Sequence, residues 1–265
     1  MKILSIGSGS KGNVTYLESK STKILIDCGL SKIKVQSHLS KYGHSLDDVD
    51  AILVTHEHSD HVKGLLPLFN ATNALLYLTE GTFFALDKKT KEKLSLEQDR
   101  IKFIKSRDKF EIKDIKVESI KVSHDVADPC GFIFNLEEKK FVYITDTGFI
   151  NESYIPLIKD ADAYIFESNH DPELEMSCSK PYPTIMRVLS DKGHLSNEDS
   201  ACVASEIIGP NCKYFFLAHL SEECNREDLA LMTYETVFKT KGFDIGKTKL
   251  ICLTQEPNKE YSLWQ

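Results

Sequence analysis

Directly after the apolar run DAILV (50–54) the chain reads THEHSDH (55–61). Three histidines, His56, His58 and His61, fall within six residues, and Asp60 stands between the last two. Within DAILV the run AILV is short and continuously apolar, which reads as a buried strand. The histidines therefore occupy the loop at that strand's end, where a rigid element can hold a site. A loop that crowds three imidazoles and a carboxylate leaves polar groups poorly matched unless a cation organises them. The fold must then supply a rigid sheet and further ligands from elsewhere in the chain. One metal cannot easily use all four groups. Division between two cations is the natural solution, His56 and His58 serving one, Asp60 and His61 the other.

Three downstream positions share this arrangement of an apolar strand followed by a ligand-type residue. His124 follows IKVS, Asp146 follows FVYIT, and His219 follows YFFLA. In a layered fold such strand ends can converge on one edge. A carboxylate such as Asp146 can bridge two cations, with a hydroxide bridging on the other side, as in two-metal water activation and phosphoryl clamping.

The rest of the chain is consistent with one domain over residues 1–265. KILSIG (2–7), VTYLES (14–19), TKILIDCG (22–29) and DAILVTH (50–56) read as strands. KIKVQSHLSKYG (32–43) has helical spacing and a terminating glycine. HVKGLLPLFNA (61–71) predicts a short helix interrupted near Pro67, and residues 80–98 predict a charged, solvated helix. A second set of strands follows in RIKFIKS, FEIKDIKVESIKVSH, GFIFNLEEKKFVYITD and AYIFES. After residue 183 helices alternate with the strands YFFLA and TKLIC. No Gly/Ser-rich linker, repeat or low-complexity tract divides the two strand-rich halves. Together they predict an α/β architecture of two packed mixed sheets with helices outside.

Composition excludes several classes. No apolar run approaches membrane-spanning length, and MKILSIGS reads as a first strand, not a secretory signal. The expected location is the cytoplasm. Seven cysteines are scattered without a C-x-x-C pair, so neither a disulfide framework nor a zinc knuckle is indicated. The net charge of −7 argues against a protein that coats nucleic acid, but not against an enzyme acting on it.

The set H-x-H-x-D-H, His124, Asp146 and His219 resembles the metal signature of the metallo-β-lactamase superfamily. That resemblance runs from about residue 2 to about 255 and implies a four-layer αβ/βα sandwich. It implies one metal on His56, His58 and His124, a second on Asp60, His61 and His219, and Asp146 as the bridge. Asp27, in ILIDCG, matches a residue that supports the metal loop without being a ligand. SGSKGN (8–13), SHDVADPCGF (123–132), YITDTG (143–148), FESNHD (166–171), KPYPTIMRVLSDKGHLSNEDSA (180–201) and LAHLSEECN (217–225) are similar to the WalJ (YycJ) family. To that family a DNA exonuclease activity and an association with a cell-wall two-component operon are attributed. GHLSNEDSACVASEI also resembles the tRNA-processing endonuclease Z, in which the residue matching His194 helps the leaving group. The chain is too short and uninterrupted for the domain inserted in the RNase J branch, and it lacks an evident protruding arm of the tRNA-enzyme type.

The expected function is therefore metal-assisted phosphodiester hydrolysis by a binuclear centre, with Zn²⁺ favoured and Mn²⁺ or Fe²⁺ admitted by the ligands. The expected partner is nucleic acid, DNA before RNA. Asp60 and His194 are the expected catalytic residues, His194 protonating the leaving oxygen. Glu167 is expected behind a metal-bound histidine. Lys11, Asn13, His170 and Ser196 are expected substrate contacts. Competing readings are a hydrolase of small esters, thioesters or lactams on the same fold, and a metal-binding regulatory component of the cell-wall system. Gly7, Gly9 and Gly12 match the dinucleotide spacing G-x-G-x-x-G, but the strand-like VTYLES follows at once where that fingerprint needs a helix. The segment reads as a loop between antiparallel strands, forming one lip of the active site.

Overall fold

The opening runs form β1 (Lys2–Gly7) and β2 (Val14–Glu18), antiparallel with Lys2 opposite Glu18 and Ser5 opposite Thr15. The glycines between them thus serve a strand-to-strand loop, as their context predicts. This computed structural model describes residues 1–264. Its fourteen strands make two mixed sheets of seven. Its contacts divide it into two compact units, Met1–Lys121 with Val126–Cys130 and the segment from Thr254 on, and Val122–Asp125 with Gly131–Leu253.

In the first unit β3 (Lys23–Ile26) pairs antiparallel with β2. Helix α1 (Lys32–Lys41) begins at Ser31, whose side chain accepts the Lys34 N–H at 3.3 Å, a normal N-cap. It buries Val35 and Leu39, four residues apart and so on one face. The crossover returns the chain to β4 (Ala51–Leu53), parallel to β3 with Ile26 opposite Leu53. Two short helices follow, α2 (Ser59–Val62) and α3 (Leu65–Phe69). The break between them lies at Lys63–Gly64, not at Pro67. Pro67 sits in the first turn of α3, where its missing N–H costs nothing.

The run LLYLT then forms β5 (Leu75–Thr79), parallel to β4, a strand the sequence reading overlooked. The charged stretch after it is two helices, α4 (Glu80–Ala85) and α5 (Lys88–Leu94), and a 3₁₀ turn. The division falls at Asp87, whose carboxylate accepts the Thr90 N–H at 3.1 Å and caps α5. Next come β6 (Ile101–Ile104), parallel to β5, and the hairpin β7 (Lys109–Ile112) and β8 (Ile115–Lys121). The two-residue strand Tyr261–Ser262 pairs antiparallel with the outer edge of β1. Leu4, Tyr16, Leu25, Ile52, Val54, Phe69 and Leu76 form the core with no exposed surface. Each such side chain contributes roughly 1.5–3 kcal/mol by leaving water.

The second unit, from Gly131 on, holds the hairpin of β9 (Cys130–Leu136) and β10 (Lys139–Ile144), β9 beginning one residue before it. Helix α6 (Ile155–Ile158) leads to β11 (Ala163–Glu167). Helices α7 (Pro172–Ser177), α8 (Tyr182–Val188) and α9 (Asn197–Ile207) lead to β12 (Tyr214–Ala218). Helix α10 (Glu227–Lys241) leads to β13 (Lys249–Cys252). Strands β10 to β13 are all parallel. Their side chains are apolar in unbroken runs such as AYIF and YFFLA, as strands covered on both faces require. Phe132, Phe141, Phe166, Phe215 and Phe216 are fully buried.

Parallel pairing places the C-terminal strand ends side by side. In the first unit this sets Asp27 beside the start of THEHSDH, with the Asp27 N–H donating to the Leu53 carbonyl at 2.8 Å. In the second, Ile144 lies opposite Phe166 and Glu167 opposite Ala218, so Asp146, Glu167 and His219 share one edge. Among the described residues no helix is long and apolar enough to cross a membrane.

Candidate metal centre

The first unit carries one histidine cluster. His56 and His61 are buried, with ring centroids 4.1 Å apart, and His58 lies 4.9 Å from His56. Behind them sits Asp27, fully buried. Its carboxylate accepts the Thr55 N–H at 2.8 Å, the Thr55 hydroxyl at 3.0 Å, and His61 Nδ1–H at 2.8 Å. Burial pushes the Asp27 carboxyl up, against the pull of His61 and Thr55. The Thr55 hydroxyl also lies 3.1 Å from His56 Nδ1.

Asn13 closes the other side of the cluster. Its Oδ1 accepts the Gly9 N–H at 2.7 Å, which fixes the amide orientation. Its Nδ2 then lies 3.0 Å from His61 Nε2 and donates to Asp60 Oδ2 at 3.1 Å. The close approach of the loops depends on glycine. A Cβ on Gly29 would stand 1.6 Å from the Asp60 carbonyl, and one on Gly12 would stand 2.4 Å from the Gly29 carbonyl.

The second unit carries a matching cluster. Asp146, Glu167, His194 and His219 each offer a ligand atom within 4.8 Å of the others. Glu167 is fully buried and takes the part that Asp27 plays in the first unit. Its Oε1 accepts His194 Nδ1–H at 2.7 Å and lies 3.2 Å from His219 Nδ1, and its Oε2 accepts the Thr147 N–H at 2.7 Å. Burial pushes this carboxyl up. The His194 charge and the hydrogen bonds from His194 and His219 outweigh burial and hold it down at about 2. His124 Nδ1 donates to the Gly193 carbonyl at 3.0 Å, and burial holds that imidazole below its usual range. Asn169 donates to the His219 carbonyl at 2.7 Å.

The remaining sequence-derived residues are placed as follows. Lys11 is exposed on the loop after β1, its N–H donating to the Gln255 side chain and its carbonyl accepting Lys63 Nζ. Ser196 caps α9, accepting the Asp199 N–H at 3.0 Å. His170 is 1 % exposed. Its carbonyl accepts the Asn197 N–H at 2.9 Å, and burial pushes its imidazole below the usual range. Asn13, His170 and Ser196 are thus buried in this conformation, and Lys11 is exposed. Thr55, Asn169 and the Gly193 carbonyl are supports that sequence reasoning missed. Thr55 and Asn169 adjoin motif residues, which is the signal that could have found them; a backbone carbonyl leaves none.

The donor chemistry fits divalent cations. Nδ1 of His61, His124 and His219 faces a carboxylate or a backbone carbonyl, so Nε2 is the nitrogen a cation would take, in His61 by displacing the Asn13 amide. A hard carboxylate stands beside each cluster, Asp60 at 3.3 Å from His61 Nε2 and Asp146 at 3.5 Å from His219 Nε2.

Comparison with known proteins agrees. Residues 22–216 match the model of the beta-lactamase superfamily domain. The chain is 39% identical over 243 residues to the exodeoxyribonuclease YycJ of Bacillus anthracis, covering 91% of this chain and 90% of that one. It is 40% identical over 242 residues to the exodeoxyribonuclease WalJ of Streptococcus pneumoniae serotype 2, covering 91% and 89%. Its fold is that of the metallo-beta-lactamase fold protein YhfI from Bacillus subtilis, with a TM-score of 0.70, 18% identity and 98% of each chain covered. With the histidine and carboxylate clusters at its strand ends, the chain belongs to the WalJ (YycJ) family of the metallo-β-lactamase superfamily.

Proposed function

We propose that the chain is a binuclear metal-dependent phosphodiesterase acting on nucleic acid, with DNA the preferred substrate, in the cytoplasm. The observation that carries this reading is the paired arrangement of histidines, Nδ1 tied to a buried carboxylate or backbone carbonyl. Family membership supports assigning one cation to His56, His58 and His124 and the other to Asp60, His61 and His219, with Asp146 between them. Imidazole-rich ligation favours zinc. Cations bound there supply Lewis acidity, making water reactive at neutral pH and offsetting charge that develops on phosphorus.

The chain's own residues do the rest. Asp27 and Glu167 fix the tautomers and orientations of His61, His194 and His219. His194 donates Nδ1–H to Glu167 and keeps Nε2 for the proton that the leaving oxygen takes. It is 11 % exposed in its side chain, so substrate can reach it. Lys11 offers a charge to the substrate backbone. Replacing His194 with Ala should leave metal content unchanged and lower hydrolysis of labelled DNA by about 10²–10⁴-fold. Undiminished turnover in that variant would remove His194 from the reaction. Faster degradation of RNA than of DNA by the unmodified chain would correct the substrate.

A further inference from the structure

We propose that Glu175, Cys178 and Cys224 form a further cation site that takes a thiophilic divalent ion such as Zn²⁺, distinct from the histidine clusters. One donor atom from each residue lies within 4.8 Å of the other two. In a tetrahedral zinc site sulfur and oxygen ligands stand about 3.5–3.8 Å apart, so closure requires each donor pair to approach by about 1.3 Å at most.

Local structure brings the three together. Glu175 and Cys178 are one turn apart at the end of α7, and the Cys178 thiol donates to the Glu175 carbonyl at 3.0 Å. Cys224 comes from the loop beyond β12, where its carbonyl accepts the N–H of Asp171, the N-cap of α7, at 2.9 Å. Cys178 is half-buried, which gives an ion a way in, whereas Glu175 and Cys224 have no exposed surface.

The charges point the same way. A carboxylate with no exposure is costly to keep ionised unless it is paired. Lys180 pairs with it, Nζ lying 2.9 and 3.1 Å from the two Glu175 oxygens and 3.5 Å from Cys224 Sγ. Burial, with the neighbouring Glu175 and Cys178, pushes the Cys224 thiol up to about 12, so without metal the thiol keeps its proton. The cluster is then neutral, one carboxylate against one ammonium. On binding, the ion replaces the two thiol protons, which leave to solvent. Two positive charges from the ion and one from Lys180 then face three anionic ligands and a fourth negative charge is not needed: with water in the fourth position the cluster is neutral once more. Lys180 remains within reach of the thiolate as a hydrogen-bond donor.

The ion would tie α7 to the segment carrying His219. The Asn225 side chain donates to the Ser168 and Asn169 carbonyls at 3.0 Å, and Asn169 donates to His219. Occupancy should therefore raise the thermal midpoint.

Cobalt separates this site from the histidine clusters, because only thiolate ligands give a near-ultraviolet charge-transfer band with Co²⁺. Titration of the reduced, metal-free full chain with Co²⁺ should develop that band. The double variant Cys178→Ser/Cys224→Ser should lose the band and one metal equivalent per chain. In the unmodified chain, zinc should protect Cys178, the half-buried member of the pair, from a thiol reagent, a measurement that stands even if the variant folds poorly. Absence of the band, its survival in the double variant, or loss of two hydrogens by intact mass in place of metal uptake would overturn the proposal; the last would identify the pair as a disulfide.

Discussion

Replacement of Asp27 by Asn tests the idea that buried carboxylates set the histidine tautomers. Asn is nearly isosteric with Asp and tolerates the left-handed backbone at this position, φ 60°. The change therefore isolates the charge. Three donors converge on Asp27: the Thr55 N–H, the Thr55 hydroxyl and His61 Nδ1–H. An amide has one acceptor oxygen, and the fixed Thr55 N–H claims it. The amide nitrogen then faces His61 Nδ1, donor against donor. The imidazole must move its proton to Nε2, the nitrogen reserved for the cation. One hydrogen bond to a charged acceptor is lost, about 1.5–3 kcal/mol. Disturbing such a support typically weakens metal binding about 10–100-fold, equivalent to roughly 1.4–2.7 kcal/mol. Chelator competition on the unmodified chain and on Asp27→Asn measures the shift, and urea denaturation of the metal-free forms reports any loss of folding. Metal affinity unchanged in a folded Asp27→Asn chain would refute control of the tautomer by this carboxylate.

Two further outcomes follow from geometry away from the ligands. Gly29→Ala would drive its Cβ into the Asp60 carbonyl and the Asn13 nitrogen, backbone atoms that cannot yield cheaply. A loss of about 3 kcal/mol or more is expected, and an unshifted urea midpoint would show that the loops have room. Glu260 binds Lys2 at 3.1 Å and also binds His44. Burial pushes its carboxyl up, but His44 and Lys2 outweigh that and hold it down. A depressed carboxyl contributes stability above the unfolded value, about 4.3, and loses it as pH falls through the folded value. Glu260→Gln should therefore be less stable than the unmodified chain at neutral pH, and the two should converge in acid; a constant gap down to pH ~2 would contradict that linkage.

The sequence made the candidate ligands legible because each group of them follows an apolar strand, and strand order then brings strand ends together. DAILV and YFFLA needed no partner to be read. LLYLT (75–79) was missed because it is only five residues long and shows no alternation. The break at Asp87 was missed because the stretches on its two sides, EGTFFAL and KKTKEKL, both keep a helical pattern while the cap works through one side chain. Proline was overweighted at Pro67, where position in the turn decides its effect. The supports behind the ligands were legible only in part. Asp27 and Glu167 could be guessed from strand ends, whereas a contact such as His124 with the Gly193 carbonyl joins positions 69 residues apart. Asn13, His170 and Ser196 have side chains that can meet phosphate. Whether they are exposed is a property of packing, which residue type does not encode.

Backbone strain separates what folding needs from what the site needs. Among the described residues seven that are not glycine have positive φ. Lys113 and Glu137 lie in the turns of the β7–β8 and β9–β10 hairpins, where such angles are common. Asp27, Asp146 and His219 instead sit one or two residues past β3, β10 and β12, with φ of 60°, 56° and 57°. A left-handed backbone costs an L-residue roughly 1–2 kcal/mol, less for Asp. Glycine would remove that cost at each position, yet it offers no carboxylate or imidazole. The strain is thus retained for the side chain, not for the turn. For Asp146 the two contributions can be separated. Asp146→Ala and Asp146→Gly both lose the carboxylate, but only glycine relaxes the backbone. The glycine variant should be more stable than the alanine variant by about 1 kcal/mol in urea denaturation of the metal-free chains, with both impaired in metal binding. An alanine variant as stable as the glycine variant would mean that the chain past β10 can leave the left-handed region freely, and that the carboxylate alone holds it there.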